Sequence, residues 1–260
     1  MGRPLLLIAL LLATACSSAG LDTPEPASEP ATTEPGSVST PPETVAEDAR
    51  PVWPGFEASK DEDPALVALA TRPLEIYEDP EGQEPSMILD QSTILGTVTV
   101  LAVLDDAGGW LEVMLPVRPN GSTGWVRSSD VALYVADGII DVDLSDRRLT
   151  YTIDGVVVLE TEVGVGSDYN ETPTGTYFVT DRVTMSDPGG PWGPNALGLS
   201  ARSDSITEFN GGDGIIGIHG TNNPASIGDN VSLGCIRVPN ETIEVLHRMV
   251  PIGTRVTVSA

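Results

Sequence analysis

The chain has 260 residues, with 38 acidic and 13 basic side chains and a formal net charge of −25. Such a negative balance excludes electrostatic attraction to nucleic acid or to an anionic membrane face, because both are negatively charged themselves. Only two histidines and two cysteines are present, and Cys16 lies in the N-terminal segment described next. Two His and one available Cys do not make a plausible zinc cluster. We therefore expect no nucleic-acid partner, no metal and no cofactor.

Residues 1–15 have the pattern of an export signal. Arg3 supplies a positive charge, an apolar run extends from Leu5 to Ala13, and small residues precede Cys16. The run is too short for a membrane-spanning helix, which needs about 20 residues. Small residues directly before Cys16 and Ser-Ser after it resemble the cleavage site of a bacterial lipoprotein, which implies a lipid on Cys16. A plain secretory signal, cut at a neighbouring alanine, is the alternative.

Residues 16–64 are predicted to form a disordered linker. The segment is rich in Pro, Glu, Ser, Thr and Ala and poor in aromatic residues, so it cannot bury enough apolar surface to offset the entropy of ordering. Proline and charge keep such a chain extended, at ~3.1 Å per residue. With a lipid on Cys16, this predicts an extracytoplasmic protein tethered to a membrane of a bacterial cell envelope.

Residues 65–135 alternate short β-rich runs with turn signals. Strands are predicted at 74–77, 97–104, 110–115 and 124–126, with glycine-containing connections between them. Together they predict a small antiparallel barrel. Gly109-Trp110 and Gly124-Trp125-Val126 resemble the bacterial SH3-like domain that is found beside cell-wall enzymes.

Residues 136–260 also have mostly strand patterns. Strands are predicted at 139–144, 148–153, 156–159, 162–165 and 175–179, and a final one at 254–258. One short helix is expected near the C-terminus, with Asn240 as its N-cap and Ile243, Leu246 and Val250 on one face. Residues 181–214 are rich in Gly and Pro and are predicted to be a long irregular segment of the kind that forms lids or substrate walls.

Cys235 is the candidate nucleophile of the chain. If Cys16 carries lipid, Cys235 has no partner for a disulfide, which is unusual in an oxidising compartment. A thiol needs a base or a positive neighbour to react as a thiolate, and His219 is the obvious base. The alternative is that Cys235 is a buried residue acting as a small hydrophobe.

Three motifs carry a resemblance to a known family. Residues 172–177 (TPTGTY), 218–221 (IHGT) and 232–238 (SLGCIRV) resemble those of the YkuD-type L,D-transpeptidase catalytic domain. The resemblance implies a β-rich catalytic domain over residues 136–260, so that the expected fold is mostly β, with a small SH3-like barrel first and one short C-terminal helix.

The resemblance also implies a chemistry. Cys235 would attack the third residue of a peptidoglycan stem tetrapeptide, expel D-Ala and form a thioester, which a neighbouring stem would resolve to a 3→3 cross-link. His219 would be the base, oriented by the backbone carbonyl of Gly220. The thiol would also be acylated by carbapenem-type β-lactams.

Other residues around the motifs have predicted supporting roles. The amide of Gly234 would stabilise the oxyanion, Ser232 would brace the loop, and Arg237 would either bind a stem-peptide carboxylate or fix the loop. Trp192 would either cover the bound peptide or pin its own loop to the domain, and Asn222 would line the same cleft.

The sequence departs from the family pattern at one position, since Leu233 stands where the family usually has His. We expect activity without that second imidazole. Two alternatives remain open. One is an L,D-carboxypeptidase, which resolves the same thioester with water, and the other is a non-catalytic lipoprotein that binds the cell wall.

Overall fold

The computed structural model of the protein describes residues 65–209 and 212–260. The predicted signal, the lipid site at Cys16 and the linker lie outside the described residues. Seventeen strands and one α-helix are described. Their bounds are β1 Ala65–Ala70, β2 Leu74–Ile76, β3 Met87–Leu89, β4 Val100–Asp106, β5 Trp110–Met114, β6 Thr123–Arg127, β7 Val131–Ala136, β8 Ile139–Asp143, β9 Arg148–Ile153, β10 Val156–Glu162, β11 Val165–Gly166, β12 Gly175–Thr184, β13 Asn195–Arg202, β14 Ile215–His219, β15 Asn230–Ser232, β16 Ile236–Arg237, α1 Asn240–Met249 and β17 Arg255–Ser259.

The first sheet has five strands in the order β6-β5-β4-β1-β7, all antiparallel to their neighbours. Alternate residues of β5 and β6 are buried, as in a sheet with one face on a core. Leu101, Leu111 and Val126 are among the fully enclosed side chains of that core. The predicted strands at 74–77, 97–104, 110–115 and 124–126 are confirmed with shifted ends, whereas β1 and β7 were not predicted. The SH3-like assignment stays a prediction.

The second sheet has eight strands in the order β10-β9-β8-β17-β12-β13-β14-β16. Two of its pairs are parallel, β8 with β17 and β14 with β16. Helix α1 covers one face through Ile243 and Leu246, both fully buried. A hairpin with its turn at Asp154-Gly155 joins β9 to β10. A mostly β fold with one short C-terminal helix is therefore confirmed.

The prediction of one unbroken irregular segment at 181–214 was wrong, because two strands occupy parts of it. Strand β12 extends to Thr184, and β13 occupies residues 195–202 near the middle of the second sheet. All residues from Ala196 to Ala201 are buried, so β13 shows none of the alternation by which a half-exposed strand is recognised. Small residues such as Gly198 and Ser200 made this strand still harder to predict from the sequence.

The cap of α1 also differs from the prediction. Pro239 occupies the N-cap position and Asn240 is the first helical residue, without a capping hydrogen bond from its side chain. The amide oxygen of Asn240 instead accepts a hydrogen bond from the backbone amide of Thr221, at 2.8 Å. Thus Asn240 stabilises a neighbouring loop and not its own helix.

The two sheets share contacts along their junction. Phe178 of β12 belongs to the second sheet, yet its fully buried ring packs in the core of the first. The hydroxyl of Tyr134 donates to the carbonyl of Ile252 at 2.7 Å, and the hydroxyl of Thr93 donates to Asp181 at 2.5 Å. The boundary at residues 135/136 stays a prediction, but packing is continuous across it.

No helix among the described residues is long and apolar enough to cross a bilayer.

Candidate active site

The parallel pairing of β14 with β16 sets the geometry of the site. Ile218 lies opposite Ile236 and His219 opposite Arg237. Side chains alternate between the two faces of a strand, and Ile218 and Ile236 are fully buried in the core. The opposite face therefore receives His219, Arg237 and, one step before β16, Cys235. His219 and Cys235, which are 16 positions apart in the sequence, thus share one face of the sheet.

This face opens into a cavity of about 210 Å³. Its walls come from the catalytic motifs, from the loop that carries Trp192 and from the segment between β13 and β14. The lining residues are Pro191, Trp192, Ser203, Ile206, Phe209, Gly214, Ile215, Ile216, His219, Ser232, Leu233, Cys235 and Arg237. Apart from the His219–Cys235–Arg237 group and two serines, the lining is apolar.

The imidazole of His219 is held in one tautomer. Its Nδ1 lies 2.5 Å from the carbonyl oxygen of Gly220, and because a carbonyl can only accept, Nδ1 carries the proton. The Nε2 lone pair is then free to take a proton from another group. Burial lowers the pKa of His219 to about 4, against a smaller opposing effect of the Gly220 carbonyl and with a further lowering by Arg237. At neutral pH the ring is therefore an uncharged base.

The thiol of Cys235 is also uncharged at neutral pH. Burial raises the pKa of Cys235, although a hydrogen bond from the backbone of Gly217 and the positive charge of Arg237 oppose this effect. Cys235 forms no disulfide within the described part of the chain and is partly accessible. The resting site is thus a neutral thiol beside a neutral imidazole, and proton transfer must accompany the attack of sulfur on a substrate.

A network of short hydrogen bonds fixes the loop before Cys235. The hydroxyl of Ser232 donates to the carbonyl of Cys235 at 2.6 Å and accepts from the amide of Gly234 at 3.1 Å. The hydroxyl of Thr172 donates to the carbonyl of Gly234 at 2.9 Å. Gly234 has a φ of +109°, a conformation that side chains with a Cβ rarely adopt. Since its amide is engaged within the loop, the oxyanion role predicted for Gly234 requires this bond to be exchanged for one to substrate.

Asn240 is a residue of the site that the sequence prediction assigned elsewhere. Besides accepting from Thr221, its amide oxygen lies against the backbone of Gly220, the residue whose carbonyl holds His219. Gly193, at a φ of +63°, packs against the same part of the Gly220 backbone. A Cβ added to Gly193 would come within 2.7 Å of the Gly220 Cα. The helix terminus and the Trp192 loop therefore meet at the peptide that orients the imidazole.

Of the remaining residues singled out from the sequence, three line the cavity and one does not. The Trp192 ring lies 4.5 Å from the His219 ring, centroid to centroid, so it packs on the imidazole as well as lining the cavity. Arg237 lines the cavity, and its Nε atom is buried without a hydrogen-bond partner among the described residues. Leu233 is half exposed at the rim. Asn222 is exposed and does not line the cavity.

Within residues 65–209 and 212–260, no group of three or more His, Cys, Asp or Glu side chains is arranged to hold a metal ion.

Comparison with protein families gives a match over residues 137–258, to the family described as YkuD, L,D-transpeptidase catalytic domain. YkuD of Bacillus subtilis strain 168, named as a proposed L,D-transpeptidase, is 39% identical over 152 residues, which are 56% of this chain and 84% of the relative. ErfK/SrfK of Escherichia coli strain K12, named as a probable L,D-transpeptidase, is 32% identical over 138 residues, which are 48% of this chain and 44% of the relative. The matched region is thus less than half of the E. coli relative.

Among solved structures, one described as an L,D-transpeptidase from Mycobacterium smegmatis aligns with 72% of this chain and 100% of its own, at 17% identity and a TM-score of 0.40.

The electrostatics of the site predict how the thiol responds to pH. Because the pKa of Cys235 is raised, the thiolate fraction is small at pH 7 and grows as the pH rises through the ordinary range of a thiol and beyond. We expect the rate of iodoacetamide labelling at Cys235, located by peptide mass spectrometry, to rise steadily from pH 6 to pH 10. An isolated peptide of residues 230–240, as the control, should label faster at each pH below 9. A plateau reached below pH 7 would instead show a thiolate–imidazolium pair and contradict the neutral site.

Asn240→Ala is expected to disturb the imidazole from a distance. It leaves the buried amide of Thr221 without an acceptor, at a cost of about 1–3 kcal/mol in the free energy of unfolding. It also frees the Gly220 peptide, so that ¹⁵N NMR of His219 should change from a single Nδ1–H tautomer to a mixture.

Two control variants either retain the acceptor for the Thr221 amide or leave this contact untouched. Asn240→Asp retains an acceptor and should recover most of the stability, and Glu241→Gln, an exposed change in the same helical turn, should alter neither readout. An unchanged tautomer in Asn240→Ala would show that Asn240 does not position the imidazole.

Proposed function

The chain belongs to the YkuD family of L,D-transpeptidases, and we propose that it cross-links peptidoglycan through a thioester on Cys235. The observation that supports this most is the cavity in which the Cys235 thiol lies with a neutral imidazole whose Nε2 is unprotonated. A cysteine that was merely a small hydrophobe would need neither an accessible cavity nor a base held in one tautomer.

In the first step, the Cys235 sulfur attacks the carbonyl carbon of the third residue of a donor tetrapeptide. Nε2 of His219 takes the thiol proton as the S–C bond forms, and the carbonyl oxygen becomes an oxyanion. The same nitrogen then gives the proton to the D-Ala amine as the C–N bond breaks. Free D-Ala leaves, and the tripeptide is held on Cys235 as a thioester.

In the second step, the side-chain amine of a diamino acid in an acceptor stem attacks the thioester. His219, again neutral, accepts a proton from the amine, and the sulfur leaves and recovers its proton from the imidazolium. The product is a 3→3 cross-link and the free enzyme. The lowered pKa of His219 suits this cycle. Because burial disfavours the charged imidazolium, it readily gives its proton to the leaving group.

Arg237 is the candidate contact for a substrate carboxylate. Arg237 lines the same cavity as the thiol, and its Nε atom is buried with no hydrogen-bond partner in the part of the chain that the structure describes. A buried donor of this kind is satisfied by an acceptor that arrives with the ligand. The guanidinium is always charged and suits a planar carboxylate. The apolar walls formed by Trp192 and Ile206 would then contact the aliphatic parts of the stem peptide.

The products of a single reaction test this function. Wild-type protein incubated with disaccharide-tetrapeptide should yield a cross-linked dimer that has lost one D-Ala, detected by mass spectrometry, and Cys235→Ala should yield none. Since the first half-reaction does not depend on the acceptor, tripeptide monomer alone would identify an L,D-carboxypeptidase. Cross-linking by Cys235→Ala would refute the thioester mechanism.

We further propose that carbapenems acylate the same thiol. The strained β-lactam carbonyl is an electrophile for sulfur, and opening of the ring adds the whole drug to Cys235. An intact-mass measurement after exposure to imipenem should show one added drug mass in the wild type. Leu233→Ala, which changes only the rim of the cavity, should still be acylated, whereas Cys235→Ala should not. An unchanged wild-type mass would count against the proposal.

A further inference from the structure

One wall of the catalytic cavity is held in place by the first sheet. Residues 203–209 and 212–214, called here the cavity strip, lead from β13 towards β14 and contribute Ser203, Ile206, Phe209 and Gly214 to the cavity lining. The strip belongs to neither strand. It is closed on itself by hydrogen bonds from the Ser203 amide to the Gly214 carbonyl, at 2.8 Å, and between Phe209 and Gly212, at 2.9 Å. These bonds fix its shape, whereas its position relative to the first sheet is set by contacts with other segments.

Arg118 makes the main contact. It lies in the connection between β5 and β6, far from the strip in sequence, and its guanidinium donates to three backbone carbonyls. These bonds go to Ser203 at 2.7 Å, Ile206 at 3.0 Å and Asp213 at 2.6 Å. Hydrogen bonds from a charged donor are stronger than neutral ones. A single side chain of the first sheet thus joins both described parts of the strip.

Two further contacts join the same connection to the start of the strip. The side chain of Asn120 donates to the Arg202 carbonyl and accepts from the Arg202 amide, both at 2.8 Å. The Arg202 guanidinium in turn donates to the carbonyl of Pro116 at 2.6 Å and pairs with Asp213 at 2.5 Å. The β5–β6 connection of the first sheet is therefore hydrogen-bonded to the end of β13 in the second sheet.

We propose that Arg118 is a positioning residue for substrate binding, which fixes the cavity strip and thereby the wall on which the donor stem peptide lies. The first sheet would then be a part of the enzyme's binding apparatus, in addition to any ligand of its own. The proposal rests on the proposed transpeptidase function for the identity of the substrate. It does not rest on that function for the fixing of the strip.

Arg118→Ala tests both parts. Because it removes contacts with the wall and none with Cys235 or His219, we expect KM for disaccharide-tetrapeptide to rise about tenfold with kcat little changed. Hydrogen–deuterium exchange of peptides that cover residues 203–209 should become faster, while peptides of β14 and α1 should be unaffected. Iodoacetamide labelling of Cys235 should keep the wild-type rate.

Arg72→Ala is the matched control. Arg72 is an exposed arginine in the connection after β1 and pairs with Asp130, so its loss should change neither KM nor the exchange of the strip.

The outcomes separate the two proposals. Unchanged exchange in Arg118→Ala would overturn the role of Arg118, and faster exchange with an unchanged KM would show that the strip does not form the substrate wall. A general loss of stability, seen as faster exchange throughout, would also contradict a positioning role. If the wild type does not turn over the tetrapeptide, the proposed function fails, and the exchange measurement still decides whether Arg118 holds the strip.

Discussion

The short parallel pairing between β14 and β16 is the constraint on which the site depends. It matches His219 with Arg237 and directs Ile218 and Ile236 into the core. A slip of one residue in either strand would turn the base or the nucleophile to the opposite face, because side chains alternate. The fully buried isoleucines make such a slip costly, and the packing of the core thereby enforces the alignment of the reactive groups.

Burial and charge act differently on the two reactive groups. Burial disfavours the charged form of both, and so lowers the pKa of His219 and raises that of Cys235. The positive charge of Arg237 also keeps the imidazole neutral, yet it favours the thiolate. Because burial is the larger effect for both groups, the resting site stays uncharged. Arg237 would then contribute most once negative charge develops on sulfur or on the substrate.

The sequence was informative about reactive residues that lie in short local motifs. The Cys235 and His219 motifs allowed both residues to be proposed together, and the structure places both in one cavity. Beyond such motifs it was less informative. The pattern of β13 is lost because both of its faces are buried, and Asn240 has the composition of an N-cap although its oxygen serves the Thr221 loop. The contacts of Arg118 join segments distant in the chain, and no local pattern signals them.

The position of β17 has a consequence for how the protein is made. Residues 255–259 lie between β8 and β12 and bridge them through parallel and antiparallel pairing. Until these residues are synthesised, the hairpin of β8 and β9 has no neighbour on that side, and the sheet that carries His219 remains separate from it. Closing a pairing between such distant segments is slow. The last pairing to become possible is therefore the one that joins the β8–β9 hairpin to the strands of the site, and a chain truncated before β17 would keep the β14–β16 pair but lose that junction.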